Sequence, residues 1–228
     1  MKNYNYDRFN PKDYNFSSMS GPKVGEKMID SEFTTLDGNK VSLLDYIGKK
    51  IVIETGSTTC PMYVKNIKRM NELALEYSDV IFLVVYVREA HPGEKLSGHK
   101  SLEGKVSEAR KLLIIEKEGR IILVDNLSGT FHNYAGSLPE MLYILDENMK
   151  VILRSSWADP MLVECTLDGK LTVEQQKDEI REPTKPDPIT MFRATLRGGI
   201  LGSWDLIKSI PRLLLMHARN GEKKVHGC

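Results

Sequence analysis

Ile51-Val52-Ile53-Glu54-Thr55-Gly56-Ser57-Thr58-Thr59-Cys60-Pro61-Met62-Tyr63 is the stretch whose reading decides the rest. The β-branched run from Ile51 to Ile53, closed by Gly56, predicts a short buried strand. Pro61 predicts the first turn of a helix, where a missing N–H is harmless because no helix start bonds it internally. Tyr63, Ile67, Met70, Ala74 and Tyr77 then recur at helical spacing, with Lys65, Lys68, Arg69, Glu72 and Glu76 on the other faces. Cys60 is therefore expected at the positive end of an amphipathic helix. Free amides and the helix dipole favour a thiolate there, and such settings lower a thiol pKa from about 8.5 to as little as about 3.5. Ser57, Thr58 and Thr59 are expected to donate to the sulfur or to satisfy nearby amides. The alternative is an inert buried cysteine, since free cysteine is among the most buried residue types.

Composition narrows the class. The chain has 228 residues, 41% of them hydrophobic, enough for one large or two small cores, and its net charge of +1 gives no basic field for nucleic acid. Three cysteines without a C-x-x-C pair argue against a disulfide framework and against a metal site. The opening Met1-Lys2-Asn3-Tyr4-Asn5 has no apolar signal-type core, and no run approaches the roughly 20 apolar residues of a membrane span. A cytoplasmic location is the expectation.

Residues 1–24 read as an irregular arm, whose Asp13-Tyr14-Asn15-Phe16 either docks its aromatics or stays solvated. Glu32 to Leu36 and Lys40 to Leu43 flank the turn Asp37-Gly38-Asn39, and Ser42 to Gly48 predicts a helical turn. Val80 to Val87 is almost uninterrupted Val, Ile, Leu and Phe, as in a strand buried on both faces of a parallel sheet. With the Cys60 strand and helix it makes a βαβ unit. Glu103 to Lys117 predicts a helix and Arg120 to Val124 a strand. Asn126 to Ala135 predicts a short helix capped by Asp125 or Asn126, on which His132 takes a capping or surface role. Met141 to Leu145 and Lys150 to Arg154 predict a hairpin headed by Pro139, which is tolerated at a strand start. This order fits an α/β, thioredoxin-like fold over residues 25–180: a central mixed sheet flanked by helices. That fold places a cis proline opposite the reactive cysteine, so Leu138–Pro139 is expected to be cis.

Residues 181–228 read as a linker and a helical extension. Arg181 to Pro188 is charged and proline-rich, and from Arg181 onward nine lysines and arginines face four acids. The segments Met191 to Arg197 and Ile200 to Arg219 mix apolar residues with arginine, and Pro211 is expected to kink or break the second. Such a basic amphipathic tail either lies on an anionic membrane, contacts a partner through residues 189–219, or folds back on its own domain. A homodimer is left open.

Gly56-Ser57-Thr58-Thr59-Cys60-Pro61, Tyr86-Val87-Arg88-Glu89-Ala90-His91, His99-Lys100-Ser101-Leu102 with Ala109-Arg110, and Leu138-Pro139-Glu140-Met141-Leu142-Tyr143 resemble, in order, landmarks of the iodothyronine deiodinases. The likeness runs from about Lys23 to Trp157. The segment from Val24 to Lys49 is also similar to the opening of redoxins and peroxiredoxins. The resemblance implies a thioredoxin fold, removal of iodine from an aryl ring, no bound cofactor and an external thiol reductant. It puts Cys60 in the place of selenocysteine and Ser57 as its hydroxyl partner, and it gives Glu89, His91 and His99 roles in activity. Thr58, Thr59 and Pro139 would then line the substrate. Three departures bear on the substrate: Thr58 stands where many animal members have a cysteine, Met141 where they have an arginine, and Gly93-Glu94-Lys95 where they have Asp-Gly-Trp.

The chemistry expected is attack by the Cys60 thiolate on the iodine of an aryl halide or on one peroxide oxygen. His91 would supply a proton, Glu89 would orient His91, and a second thiol would reduce the sulfur. Cys165 reads as a core position, and Cys228 as an exposed thiol able to resolve an oxidised Cys60. A peroxiredoxin-like peroxide reductase is the nearest rival, although Ile53 stands where that site wants a proline. A non-catalytic thioredoxin-fold binding module is the third reading.

Overall fold

In the computed structural model, which describes residues 4–177 and 179–219, one sheet of seven strands organises the molecule. The strands are β1 (Glu32–Thr35), β2 (Lys40–Ser42), β3 (Ile51–Gly56), β4 (Ile81–Tyr86), β5 (Ile121–Val124), β6 (Leu142–Leu145) and β7 (Val151–Ser155). Their spatial order is β2-β1-β5-β4-β3-β6-β7. β3, β4 and β5 run parallel, while β6 pairs with β3 and β1 with β5 antiparallel, which makes the sheet mixed. The central strands are buried on both faces, and this is why Ile51–Ile53 and Phe82–Val85 read as unbroken apolar runs. The hairpin expected around Asp37-Gly38-Asn39 is present, with Phe33 opposite Val41.

The helices are α1 (Pro61–Glu76), α2 (Leu102–Ile115), α3 (Thr130–Ala135), α4 (Pro160–Leu167), α5 (Val173–Lys177), α6 (Pro188–Gly198) and α7 (Ile200–Arg219). α3 starts later than its pattern suggested, because the Asp125 carboxylate is taken up by the amides of Phe131 and His132, at 3.2 and 3.0 Å. His132 is fully buried, not at the surface. Its Nε2 donates to the Leu138 carbonyl at 2.7 Å, and its Nδ1 accepts from Tyr4 at 2.9 Å. It thereby ties the N-terminal arm to the Leu138–Pro139 loop.

The cis expectation at Pro139 fails, and the helix expected to kink or break at Pro211 is unbroken there. No cis peptide bond occurs among the described residues, so Leu138–Pro139 is trans. Gly136 and Ser137, at φ 135° and 60°, already reverse the chain ahead of it. α7 continues through Pro211. That proline lies on the exposed side of the helix, as does Ile207, whose carbonyl loses its partner and can be solvated.

Over their described residues, both the N-terminal arm and the C-terminal tail pack on the sheet domain. Phe9, Tyr14, Phe16 and Met19 of the arm are buried in the main core cluster, so the docking alternative holds for these aromatics. Arg154 of β7, nearly inaccessible, donates to the Gly21 carbonyl at 2.9 Å and pairs with Glu179. The tail folds back as well. Lys95 donates to the Gly198 carbonyl at 3.0 Å, and the Glu94 carboxylate caps α7 through the amides of Ile200 and Leu201, at 2.6 and 2.9 Å. Close backbone approach demands glycine here. A β-carbon on Gly93 would stand 2.5 Å from the Gly198 carbonyl oxygen, and one on Gly202 2.8 Å from that of His91.

Candidate active site

Cys60 is the N-cap of α1, directly after β3, with extended backbone (φ −90°, ψ 106°) and Pro61 in the first turn. Cys60 lines an apolar cavity of about 140 Å³ together with His91, Pro139, Phe9, Trp157 and Leu206. Leu213 and His217 of α7 complete its roof. The Phe16 and Trp157 rings stack beside it, 5.5 Å apart and nearly parallel, and the His217 ring is tilted against both.

The placement of Cys60 matches expectation, but its electrostatics do not. Burial pushes the thiol well above its usual value, and Glu140 adds to the rise, against the Tyr63 and Met62 amides that favour the anion. With 1% of the residue exposed, the loss of hydration outweighs the helix start. Glu140 is itself buried and pushed far up, first by burial and then by Glu54. The Asn66 amide spans this pair, donating at 3.0 Å to Glu54 and 2.8 Å to Glu140. Oε2 of Glu140 has no partner.

The hydroxyls of the Cys60 loop turn to Glu89 and its neighbours. Thr59 donates through both its amide and its hydroxyl to Oε2 of Glu89, at 3.1 and 2.6 Å, and Thr58 reaches the same oxygen at 3.2 Å. Oγ of Ser57 accepts the Ala90 amide at 3.1 Å. Oε1 of Glu89 takes the Tyr86 hydroxyl and, at 3.0 Å, Nε2 of His99. Burial opposes the charge on Glu89, yet His99, Thr59 and Tyr86 together hold it below the ordinary carboxylate range.

Glu89 thus orients His99, whereas His91 was the expected partner. The two histidines are not equivalent. His99 belongs to the Glu89 cluster, while His91 lines the cavity with its ring 4.4 Å from that of Phe9. Burial lowers His91 to about 4, so it is neutral at pH 7, and its Nδ1 has no partner. Of the residues read as site candidates, Cys60, His91 and Pro139 meet at the cavity. Ser57, Glu89 and His99 stand behind it, and the fully buried Thr58 and Thr59 support the loop from within. Cys165 is buried on α4, and Cys228 lies outside the described residues.

The sequence reading missed Phe9, Trp157, Leu206, Leu213 and His217 at this site. Only the apolar positions of the arm and tail hinted at them. Arg88 was passed over too: its guanidinium lies 4.9–5.2 Å from the ring centres of Tyr4, Tyr6 and Tyr14, fastening the arm beside the Glu89 loop.

The family model of iodothyronine deiodinase matches residues 8–156. The chain belongs to that family. Among curated deiodinases it is 27% identical over 142 residues to the type I iodothyronine deiodinase of Xenopus laevis, covering 58% of this chain and 56% of that protein. It is 31% identical over 128 residues to the thyroxine 5-deiodinase of Ovis aries, covering 50% and 44%. The chain thus spans about half the length of these curated deiodinases. Among solved structures, the thioredoxin domain of a thiol-disulfide oxidoreductase from Bacteroides vulgatus superposes with a TM-score of 0.50 at 13% identity, over 65% of this chain and 98% of that one. An uncharacterized conserved protein from Geobacillus kaustophilus gives 0.53 at 20% identity, over 68% and 87%. At such identities the likeness concerns the fold, which is thioredoxin-like. The deiodinase match ends just before Trp157, so α6 and α7, which roof the cavity, lie outside it.

Proposed function

We propose that this deiodinase-family chain is a thiol-dependent reductive dehalogenase acting on an aryl iodide, with Cys60 as nucleophile. The observation that carries the reading is a cysteine at a helix start, lining an apolar cavity it shares with a neutral imidazole whose Nδ1 has no partner. An apolar cavity of about 150 Å³ is enough to hold benzene, so about 140 Å³ suits one aromatic ring. The same apolar lining supports an iodinated ring over a hydrogen-bonding peroxide.

In the proposed sequence neutral His91 takes the Cys60 proton as the sulfur attacks iodine. The S–I bond forms, the C–I bond breaks, and the electron pair left on carbon receives the proton back from His91. Two equivalents of an external thiol then restore Cys60, giving a disulfide and iodide. Burial keeps His91 neutral at pH 7, so the ring can take the proton only as the S–I bond forms, and the imidazolium, a strong acid in this setting, returns it readily to carbon. Glu89, with Thr59 and His99, holds the loop from Ala90 to His91 against the Cys60 turn, so these are positioning residues. A cytoplasmic setting would supply the thiol.

The test offers an iodinated phenol and a peroxide side by side, with dithiothreitol, to the wild type and to Cys60→Ser. Iodide release lost in Cys60→Ser supports the reading. Peroxide consumption without iodide release would transfer the assignment to a peroxidase, and no turnover of either would leave a binding module.

A further inference from the structure

The outer face of the tail is left both apolar and cationic. On α7, Ile200, Trp204, Ile207 and Leu214 fall in one stripe by helical spacing, and they are 70, 50, 40 and 53% exposed. Pro211 and Ala218, also exposed, extend the same stripe. α6 adds Ile189, Phe192 and Leu196, at 79, 46 and 45%. All of these are exposed, whereas Leu206, Leu213 and His217 of α7 turn inward to line the cavity.

Charge indicates what covers the stripe. Of the five lysines and arginines between Pro188 and Arg219, Arg193 and Arg197 pair inward with Glu116, so Lys208 and Arg212 are the cations beside the stripe, and the one acid, Asp205, is engaged by Arg8 at 2.5 Å. Nζ of Lys208 lies 5.0 Å from the centre of the Trp204 ring, and Arg212 is exposed one turn further on. A second copy of this chain would set cation against cation. An anionic bilayer accepts the apolar stripe in its interface and meets the cations with opposite charge. No helix among the described residues is long and apolar enough to cross a membrane, so the contact is one of lying on the surface.

We propose that the outer face of α6 and α7 docks on the surface of an anionic lipid bilayer, with Trp204 at headgroup level and Lys208 and Arg212 on the phosphates. Because the inner face of α7 roofs the Cys60 cavity, docking places that cavity about one helix diameter, ~10 Å, beneath the lipid. An apolar substrate dissolved in the membrane then has a short path to it.

The experiment uses the full chain with vesicles of phosphatidylcholine alone or mixed with phosphatidylserine. Cosedimentation is expected with the mixed vesicles only, weakening as salt rises, with a blue shift in tryptophan emission that Trp204→Phe removes. Lys208→Gln with Arg212→Gln should weaken binding roughly 25-fold, at about fivefold per charge. Ile207→Glu with Leu214→Glu should abolish it while leaving the circular dichroism unchanged, as expected for exposed positions. Absence of sedimentation overturns the proposal, and so does equal sedimentation of wild type and the glutamate variant. Dimerisation that the glutamate variant dissolves, without vesicle binding, assigns the stripe to a second copy instead.

Discussion

Nε2 of His99 lies 3.0 Å from Oε1 of Glu89, and both side chains are buried where the loop after β4 meets the turn that carries Cys60. Thr59 joins the same carboxylate at 2.6 Å, so one acid holds together two loops that are distant in sequence. The loop geometry at the cavity depends on that charge.

Glu89→Gln should therefore destabilise the fold by about 3 kcal/mol, since an amide replaces an acceptor of several buried donors. Dehalogenation should slow by about a hundredfold. Urea denaturation and iodide release measure the two. An unchanged midpoint would mean that the cluster contributes little.

His91 sets a pH signature. Its pKa falls from an unfolded value near 6.5 to about 4 in the fold, so the unfolded chain binds the proton more readily. The neutral form's stability is complete above pH 6.5 and is lost as the pH falls from there toward 4. Between pH 7.5 and 5 this amounts to about 2 kcal/mol. His91→Phe should flatten the stability profile by that amount, and parallel profiles for the two proteins would refute a buried neutral imidazole.

Cys60 should react slowly as a free thiol. Burial raises its pKa, so the rate of alkylation by iodoacetamide, read on the Cys60 peptide by mass spectrometry, should climb about tenfold per pH unit from 7 to 9. A rate that levels off below pH 8 would mean that the helix start wins over burial after all.

Gly198→Ala should unlatch the tail. A β-carbon there runs into the His91 carbonyl, a backbone atom that cannot swing aside, whereas one on Gly119 meets nothing closer than 3.6 Å. Cys60 alkylation should rise roughly tenfold or more, because opening the roof returns water to the thiolate, in Gly198→Ala and not in Gly119→Ala. Equal rates would show that α7 does not control access.

The amino-acid order by itself determined the parallel core, because strands buried on both faces must be continuous runs of Val, Ile and Leu, and it determined Cys60 at a helix start, because Gly56 and Pro61 allow little else there. Tertiary structure alone decided the ionisation of Cys60. Whether a thiol at a helix start is acidic depends on what covers it, and the covering residues, from Phe9 to His217, come from both ends of the chain. Local spacing carries no information about such contacts. For the same reason the three hydroxyls beside Cys60 could be seen but not aimed: Glu89, the carboxylate that draws Thr58 and Thr59, arrives thirty residues later on a neighbouring strand's loop.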